Sequence, residues 1–275
     1  MIFDTRICQL GEGPLWHPAR NELFWFDILG KTLHSKARSW GFDEYVSAAG
    51  WVDKTSLILA SASALHHFNL TDGSAETLAP LESGNPITRS NDGRADPCGG
   101  FWIGTMGINA EHHAGAIYRF YRGELRQLYA AITISNAICF SPDGNHAYFT
   151  DTPTQKVMRV SLDKDGWPKG DPTLWLDLSG TDFVPDGAVV DAAGNFWNAQ
   201  WGANRVACYD PNGTFIEAVA FGASQTSCPA FGGEDLQTLF CTSAAVGLSN
   251  PSAHDGKVLA TKVAHTGQPE HQVIL

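Results

Sequence analysis

A chain of 275 residues that is 43% hydrophobic can bury a large core, and it lacks the bias toward Glu, Lys, Ser and Pro that marks disorder. Its formal net charge of −11, with no cluster of lysine or arginine, speaks against a polyanionic partner such as nucleic acid or an acidic membrane surface. The first ten residues, MIFDTRICQL, contain Asp4 and Arg6 and no apolar run of signal-peptide length, and no stretch approaches the roughly 18 apolar residues of a membrane span, so a soluble, cytoplasmic protein is expected.

Six units of similar pattern then follow one another. The first is EGPLWHPARNELFWFDILGKTLHS from Glu12, and the second, weaker, is AAGWVDKTSLILASASALHHFNL from Ala48. The third is NDGRADPCGGFWIGTM from Asn91, the fourth NAICFSPDGNHAYFTDTPTQKVMRV from Asn136, and the fifth DGAVVDAAGNFWNAQWGANRVACYD from Asp186. TSCPAFGGEDLQTLFCTSAAV, again weaker, is the sixth. The period of roughly 45 residues is that of a repeated multi-strand unit. Within a unit, short runs rich in aromatic and β-branched residues are separated by Gly, Asn, Asp or Pro, which predicts hairpin-linked strands. The 28 glycines and 14 prolines interrupt every candidate for helical period. Six four-stranded blades closed in a circle account for residues 1–275, so the expected fold is all-β, a single six-bladed β-propeller domain. A β-sandwich or a pair of small barrels also suits short strands at regular spacing. The recurring Gly-x-x-aromatic pattern, Gly99 to Trp102 and Gly194 to Trp197, favours copies of one unit instead. Trp25, Trp102, Tyr148 and Trp197 are expected between neighbouring sheets, as core.

The turn between the first two strands of each unit falls at His17, Asp53, Asp96, Ser141, Asp191 and Gly232. Five residues before each turn stand Glu12, Ala48, Asn91, Asn136, Asp186 and Ser227. In a closed propeller these equivalent positions meet at one mouth of the central channel, where they present a ring of oxygen donors. Glu12, Asn136 and Asp186 supply two carboxylates and an amide oxygen, hard ligands suited to one divalent ion: calcium, magnesium, manganese or zinc. An Asp before Gly is most often a turn former and a Glu between glycines a solvated loop residue; the shared register is what joins them. Such an ion with open positions acts as a Lewis acid and lowers the pKa of bound water. Asn91 is the fourth polar member, and Arg89 lies two residues before it on the same side of an extended segment, placed to hold hydroxyls or a developing oxyanion.

Other motifs carry less. The pairs His66–His67 and His112–His113 lack the spacing of a zinc helix. His112 and His113 read as solvated loop residues, with a place over the channel mouth as the alternative. No G-x-S-x-G elbow is present. The six cysteines are scattered without a C-x-x-C pair, which predicts mostly buried thiols and neither a disulfide scaffold nor a structural zinc cluster.

The segments LGEGPLWHP (Leu10 to Pro18), RSNDGRADPCGGFWIGTM (Arg89 to Met106), ISNAICFSPDG (Ile134 to Gly144), YFTDT (Tyr148 to Thr152) and PDGAVVDAAGNFW (Pro185 to Trp197) resemble, in order, the senescence marker protein, regucalcin and gluconolactonase family of sugar lactonases. The resemblance implies a metal held by Glu12, Asn136 and Asp186, sugar hydroxyls bound by Arg89 and Asn91, and Asp186 as catalytic base. It also implies hydrolysis of an aldonolactone to the aldonic acid. One departure stands out: animal members carry an acidic, substrate-reaching residue where this chain has Asn109, and an amide donates as well as accepts. The alternatives are a non-sugar lactonase, esterase or phosphotriesterase on the same scaffold, and a non-enzymatic calcium-binding propeller.

Overall fold

In the third and fifth units the first strand turns back on the second through a side chain that replaces backbone partners. Asp96 Oδ1 accepts the N–H groups of Cys98 and Gly100 at 2.8 and 3.0 Å, and Asp191 Oδ1 accepts those of Ala193 and Asn195, both at 2.9 Å. Gly99 and Gly194 occupy the same place in these two turns at φ of 88° and 89°, a conformation that a Cβ would oppose. The same turn chemistry gives the same hairpin in these two units.

The computed structural model describes residues 1–275 and arranges them as six antiparallel four-stranded sheets, a six-bladed β-propeller. The first strands of the blades are Gly11–His17, Val46–Asp53, Thr88–Ala95, Ser135–Phe140, Val184–Val190 and Thr226–Gly232. They pack side by side in a closed circle around the axis, with the sixth against the first. A single 3-10 turn, Thr152–Thr154, is the only helical element. No helix is long and apolar enough to cross a membrane.

Between neighbouring sheets lies a continuous belt of core. Trp25, Trp102 and Trp197 are fully buried and Tyr148 nearly so. Trp102 meets Phe140 of the next blade edge-on at 5.5 Å, Tyr148 meets Phe196 at 5.6 Å, and Trp197 meets Phe231 at 5.6 Å. These aromatics are inter-blade core, as their spacing predicts. Truncating one to alanine costs about 3–5 kcal/mol. Five of the six cysteines are buried free thiols, and Cys98 is half-buried.

Two features lie outside the repeat pattern. The outermost strand of the sixth blade is Ile2–Asp4, which pairs with Val258–Lys262 and so fastens the two ends of the chain together. Three residues are too few to carry a period. At the opposite end of the channel from the Glu12 mouth, the C-terminal segment crosses the face. Gln268 Nε2 donates to the carbonyls of Val190 and Phe140, Trp51 Nε1 donates to the Glu270 carbonyl, and the Ile274 N–H donates to Gly99. Glu270 and Arg94 form a buried ion pair there. Beneath this segment, between Arg94, Phe140 and Val190, a cavity of about 20 Å³ remains.

Candidate active site

The inner strands do not run straight through the open mouth. In every blade the register with the second strand slips next to the ring position: between Glu12 and Leu15, Val46 and Ala48, Ser90 and Gly93, Asn136 and Cys139, Pro185 and Ala188, and Thr226 and Pro229. A bulge bends its strand and re-aims a side chain. Gly13 and Ala137, which follow Glu12 and Asn136, adopt φ of 53° and 57°. At Gly13 a Cβ would stand 2.3 Å from the Ser47 carbonyl, so glycine is required on two counts. Ala137 accepts a left-handed conformation that costs roughly 1–3 kcal/mol, strain stored beside a candidate ligand.

The bulges release backbone groups, and neighbouring side chains take them up. Asp92 Oδ2 accepts the Ile138 N–H at 2.7 Å across the gap between blades. Asn198 Nδ2 donates to the Asp186 and Gly187 carbonyls at 3.0 and 3.1 Å. Both contacts hold the backbone that carries a ring residue.

Five of the expected site residues come together around one cavity of about 200 Å³: Glu12, Arg89, Asn91, Asn136 and Asp186. A directed chain of hydrogen bonds links them. Arg89 Nη1 donates to Asn91 Oδ1 at 2.8 Å; Asn91 Nδ2 donates to the Ser135 carbonyl at 2.9 Å and to Asn136 Oδ1 at 3.3 Å. Asn136 Nδ2 donates to Thr152 Oγ1 at 2.9 Å, and Thr152 Oγ1 donates to the Pro185 carbonyl at 3.0 Å. Because each link has one donor, the chain orients both amides and leaves the Asn136 oxygen on the cavity side.

The electrostatics are those of an undercompensated acidic site. Burial raises the pKa of Glu12, with repulsion from Asp92 adding to it, while the Gly13 N–H at 3.0 Å opposes the shift. Burial likewise raises that of Asp186, reinforced by the charges of Glu12 and Asp92. Asp92 is itself pushed up to about 6 by burial. Arg89, the cation beside this group, is brought down to about 10 by burial, with Glu12 and Asp186 acting the other way. No group of three or more His, Cys, Asp and Glu side chains is placed to hold a metal ion. The third donor here is an amide oxygen, and two buried carboxylates with a carbonyl suit a hard divalent cation, which would relieve their repulsion.

The remaining ring members are occupied otherwise. Ser227 Oγ donates to the Gly11 carbonyl and bonds Thr242 Oγ1, and Ala48 is buried core, so the oxygen ring is open to the cavity at four positions of six. Asn109 is kept apart from the other expected site residues. It sits in an exposed turn outside the cavity wall, where the Glu111 carboxylate accepts its backbone N–H at 3.0 Å and its Nδ2 at 2.9 Å. His112 and His113 stack on each other at 3.6 Å and are exposed, also outside the wall. Sequence reasoning assigns no role to Thr152 or to the apolar residues Leu10, Met106, Ile134, Val184 and Trp201, which complete the lining. The signal for three of them is present: Leu10, Ile134 and Val184 stand two residues before a ring position, as Arg89 does.

The fold is a six-bladed propeller with one polar-floored cavity at a mouth of its channel. The family model described as SMP-30/Gluconolactonase/LRE-like region matches residues 10–245, and the chain belongs to that family of sugar lactone lactonases. A Rhizobium meliloti protein whose name carries the words "sugar lactone lactonase" is 41% identical over 273 residues, 95% of this chain and 92% of its own length. The L-arabinolactonase of Azospirillum brasilense is 34% identical, over 97% of this chain and 92% of its own. Among solved structures, a calcium-binding protein named regucalcin from Agrobacterium tumefaciens superimposes with a TM-score of 0.96 at 37% identity, covering 100% of this chain and 97% of its own.

Proposed function

We propose that this protein hydrolyses a sugar lactone to the aldonic acid with the help of one divalent cation, for which Glu12, Asn136 and Asp186 are the ligands. The observation that carries the reading is the meeting of two buried carboxylates and an oriented amide oxygen, from three blades, beside a buried arginine in a cavity large enough for one small ring. When bound, calcium, zinc, magnesium or manganese would supply Lewis acidity toward the lactone carbonyl.

The chain's own groups do the rest. Asp186 removes a proton from the attacking water, its backbone held in place by the Asn198 amide, which donates to the Asp186 carbonyl at 3.0 Å. That proton then goes to the ring oxygen as the ester C–O bond breaks, giving the hydroxyl and the carboxylic acid of the open chain, and the acid's own proton is lost to solvent to leave the carboxylate. Arg89 and Asn91 bind the hydroxyls beside the reacting carbon and fix the lactone for attack. Arg89 favours a polyhydroxylated ligand over an apolar ester, since a buried guanidinium facing only apolar surface is left without acceptors.

The test is a panel of pentono- and hexonolactones assayed with each of the four metals, against the protein stripped by a chelator. Metal-dependent ring opening above the buffer rate is expected, and Asp186→Ala should abolish it. Background rates throughout would end the proposal.

A further inference from the structure

The cavity wall has two levels, and they differ in chemistry. At the floor are the ring residues Glu12, Asn91, Asn136 and Asp186. One pleat outward, two residues earlier in the chain, stand Leu10, Arg89, Ile134 and Val184, Arg89 and Val184 on the strands themselves and Leu10 and Ile134 at the bridges just before them. The second strands of two blades add Met106, which pairs with Arg89, and Trp201, which pairs with Val184. Met106 also bridges to Ile134. The outer level is therefore an apolar collar broken on one side by a guanidinium. Arg89 Nη1 is engaged with Ser90 and Asn91, and the other guanidinium donors have no protein partner.

This geometry divides a bound lactone into unlike edges. The step from floor to collar is two strand residues, roughly 7 Å, which is about the width of one lactone ring. With the carbonyl carbon at the floor, the edge facing Arg89 and Asn91 finds donors and acceptors. The carbon farthest from the carbonyl lies level with Ile134 and Val184, whose aliphatic side chains cannot partner a hydroxyl. The cavity, at about 200 Å³, is smaller than the roughly 300–1,000 Å³ of pockets for larger ligands, so the far end stays at the collar.

We infer that the preferred substrate is a deoxy-sugar lactone, an aldonolactone whose terminal carbon is a methyl rather than a hydroxymethyl group. The inference rests on the lactonase reading and adds the collar to it. Ile134 and Val184 hold the methyl, the indole of Trp201 covers it, and the hydroxylated edge is read on the opposite side by Arg89.

Pairs of lactones identical in configuration and differing only in the terminal hydroxyl test this: L-fucono- against L-galactono-1,4-lactone, and L-rhamnono- against L-mannono-1,4-lactone, with the protein supplied with divalent cation. The deoxy member of each turned-over pair should have the higher kcat/KM by roughly tenfold to a hundredfold, the discrimination an apolar wall gives against an added hydroxyl. Ile134→Asn, or the near-isosteric Val184→Thr should the first variant not fold, should narrow the ratio by raising turnover of the hydroxylated member. Turnover of both members at equal rates, or a preference for the hydroxylated one, overturns the inference and leaves the lactonase reading standing. Background rates on all four lactones and on the pentono- and hexonolactones of the earlier panel remove that reading, and the inference with it.

Discussion

The hydroxyl of Thr152 accepts the side-chain amide of Asn136 at 2.9 Å and donates onward to the Pro185 carbonyl at 3.0 Å, so a residue with no ligand chemistry of its own sets which end of Asn136 faces the cavity. Pro185 precedes Asp186, and the same hydroxyl thus ties two candidate ligands from adjacent blades. An outer partner of this kind fixes a ligand's orientation and is worth about 10- to 100-fold in metal affinity.

Thr152→Val keeps the shape and removes both bonds, leaving a buried amide donor and a carbonyl unpaired. Stability should fall by about 1–3 kcal/mol. Divalent-cation affinity measured by calorimetry should weaken about tenfold or more, and Thr152→Ser should restore it. Equal cation affinity in the valine variant and the parent would show that Asn136 needs no such support.

Asp186 is buried near another acid and raised in pKa by burial first and by the Glu12 charge second. Asp186→Asn removes one of the two like charges without changing the volume. In chelator the variant should therefore melt no lower than the parent, and by relief of repulsion a few degrees higher. Its turnover should drop by about 100- to 10,000-fold, the usual worth of a positioned base. A melting temperature well below the parent's in metal-free buffer would contradict the acidic-pair account.

Arg89 lies 5% exposed, and its Nη1 group anchors the amide chain through Asn91. Arg89→Lys retains the charge but loses the planar fork. For sugar lactones kcat/KM should fall by roughly tenfold to a hundredfold, mostly through KM, while an apolar ester of the same leaving group should lose much less. Parallel losses on both substrates would mean that Arg89 supports the site as a whole and reads no hydroxyl.

His17 is fully buried, with Nε2 at 2.9 Å from the Asp53 carbonyl and Nδ1 without a partner. Its pKa lies below the ordinary value, chiefly because burial disfavours the charged ring. The unfolded chain therefore binds a proton near pH 6.5 that the folded chain refuses, and stability rises with pH through that range. The contribution is present above about pH 6.5 and is lost below it, by at most about 1.4 kcal/mol per pH unit for one proton. His34, His66 and His271 shift the same way for the same first cause and steepen the trend. His17→Gln can keep the donor to Asp53 and removes the titration, so its melting temperature should decline less between pH 7.5 and 5.5 than the parent's. Identical slopes would exclude His17 from the acid response.

A repeat of fixed period in the linear chain was enough to specify six hairpin-rich units, their inter-blade aromatics and the shared register of Glu12, Asn91, Asn136 and Asp186, because turn chemistry and strand alternation are local properties that every copy expresses alone. Arg89 belongs with these, since a two-residue offset on a strand preserves the face. Other matters were settled only in three dimensions. Ser227 carries the right chemistry at the right position, yet its hydroxyl is taken by the Gly11 carbonyl of the blade that closes the circle. Asn109 is held at the turn by Glu111, and Thr152, Met106 and Trp201 reach the cavity from second strands or the turn beyond them. The pairing of Ile2–Asp4 with the last blade and the crossing of the far channel end by Glu270 have no period at all. Such contacts join residues distant in the chain, and competition among neighbours for each donor and acceptor is resolved only when the ring of blades has closed.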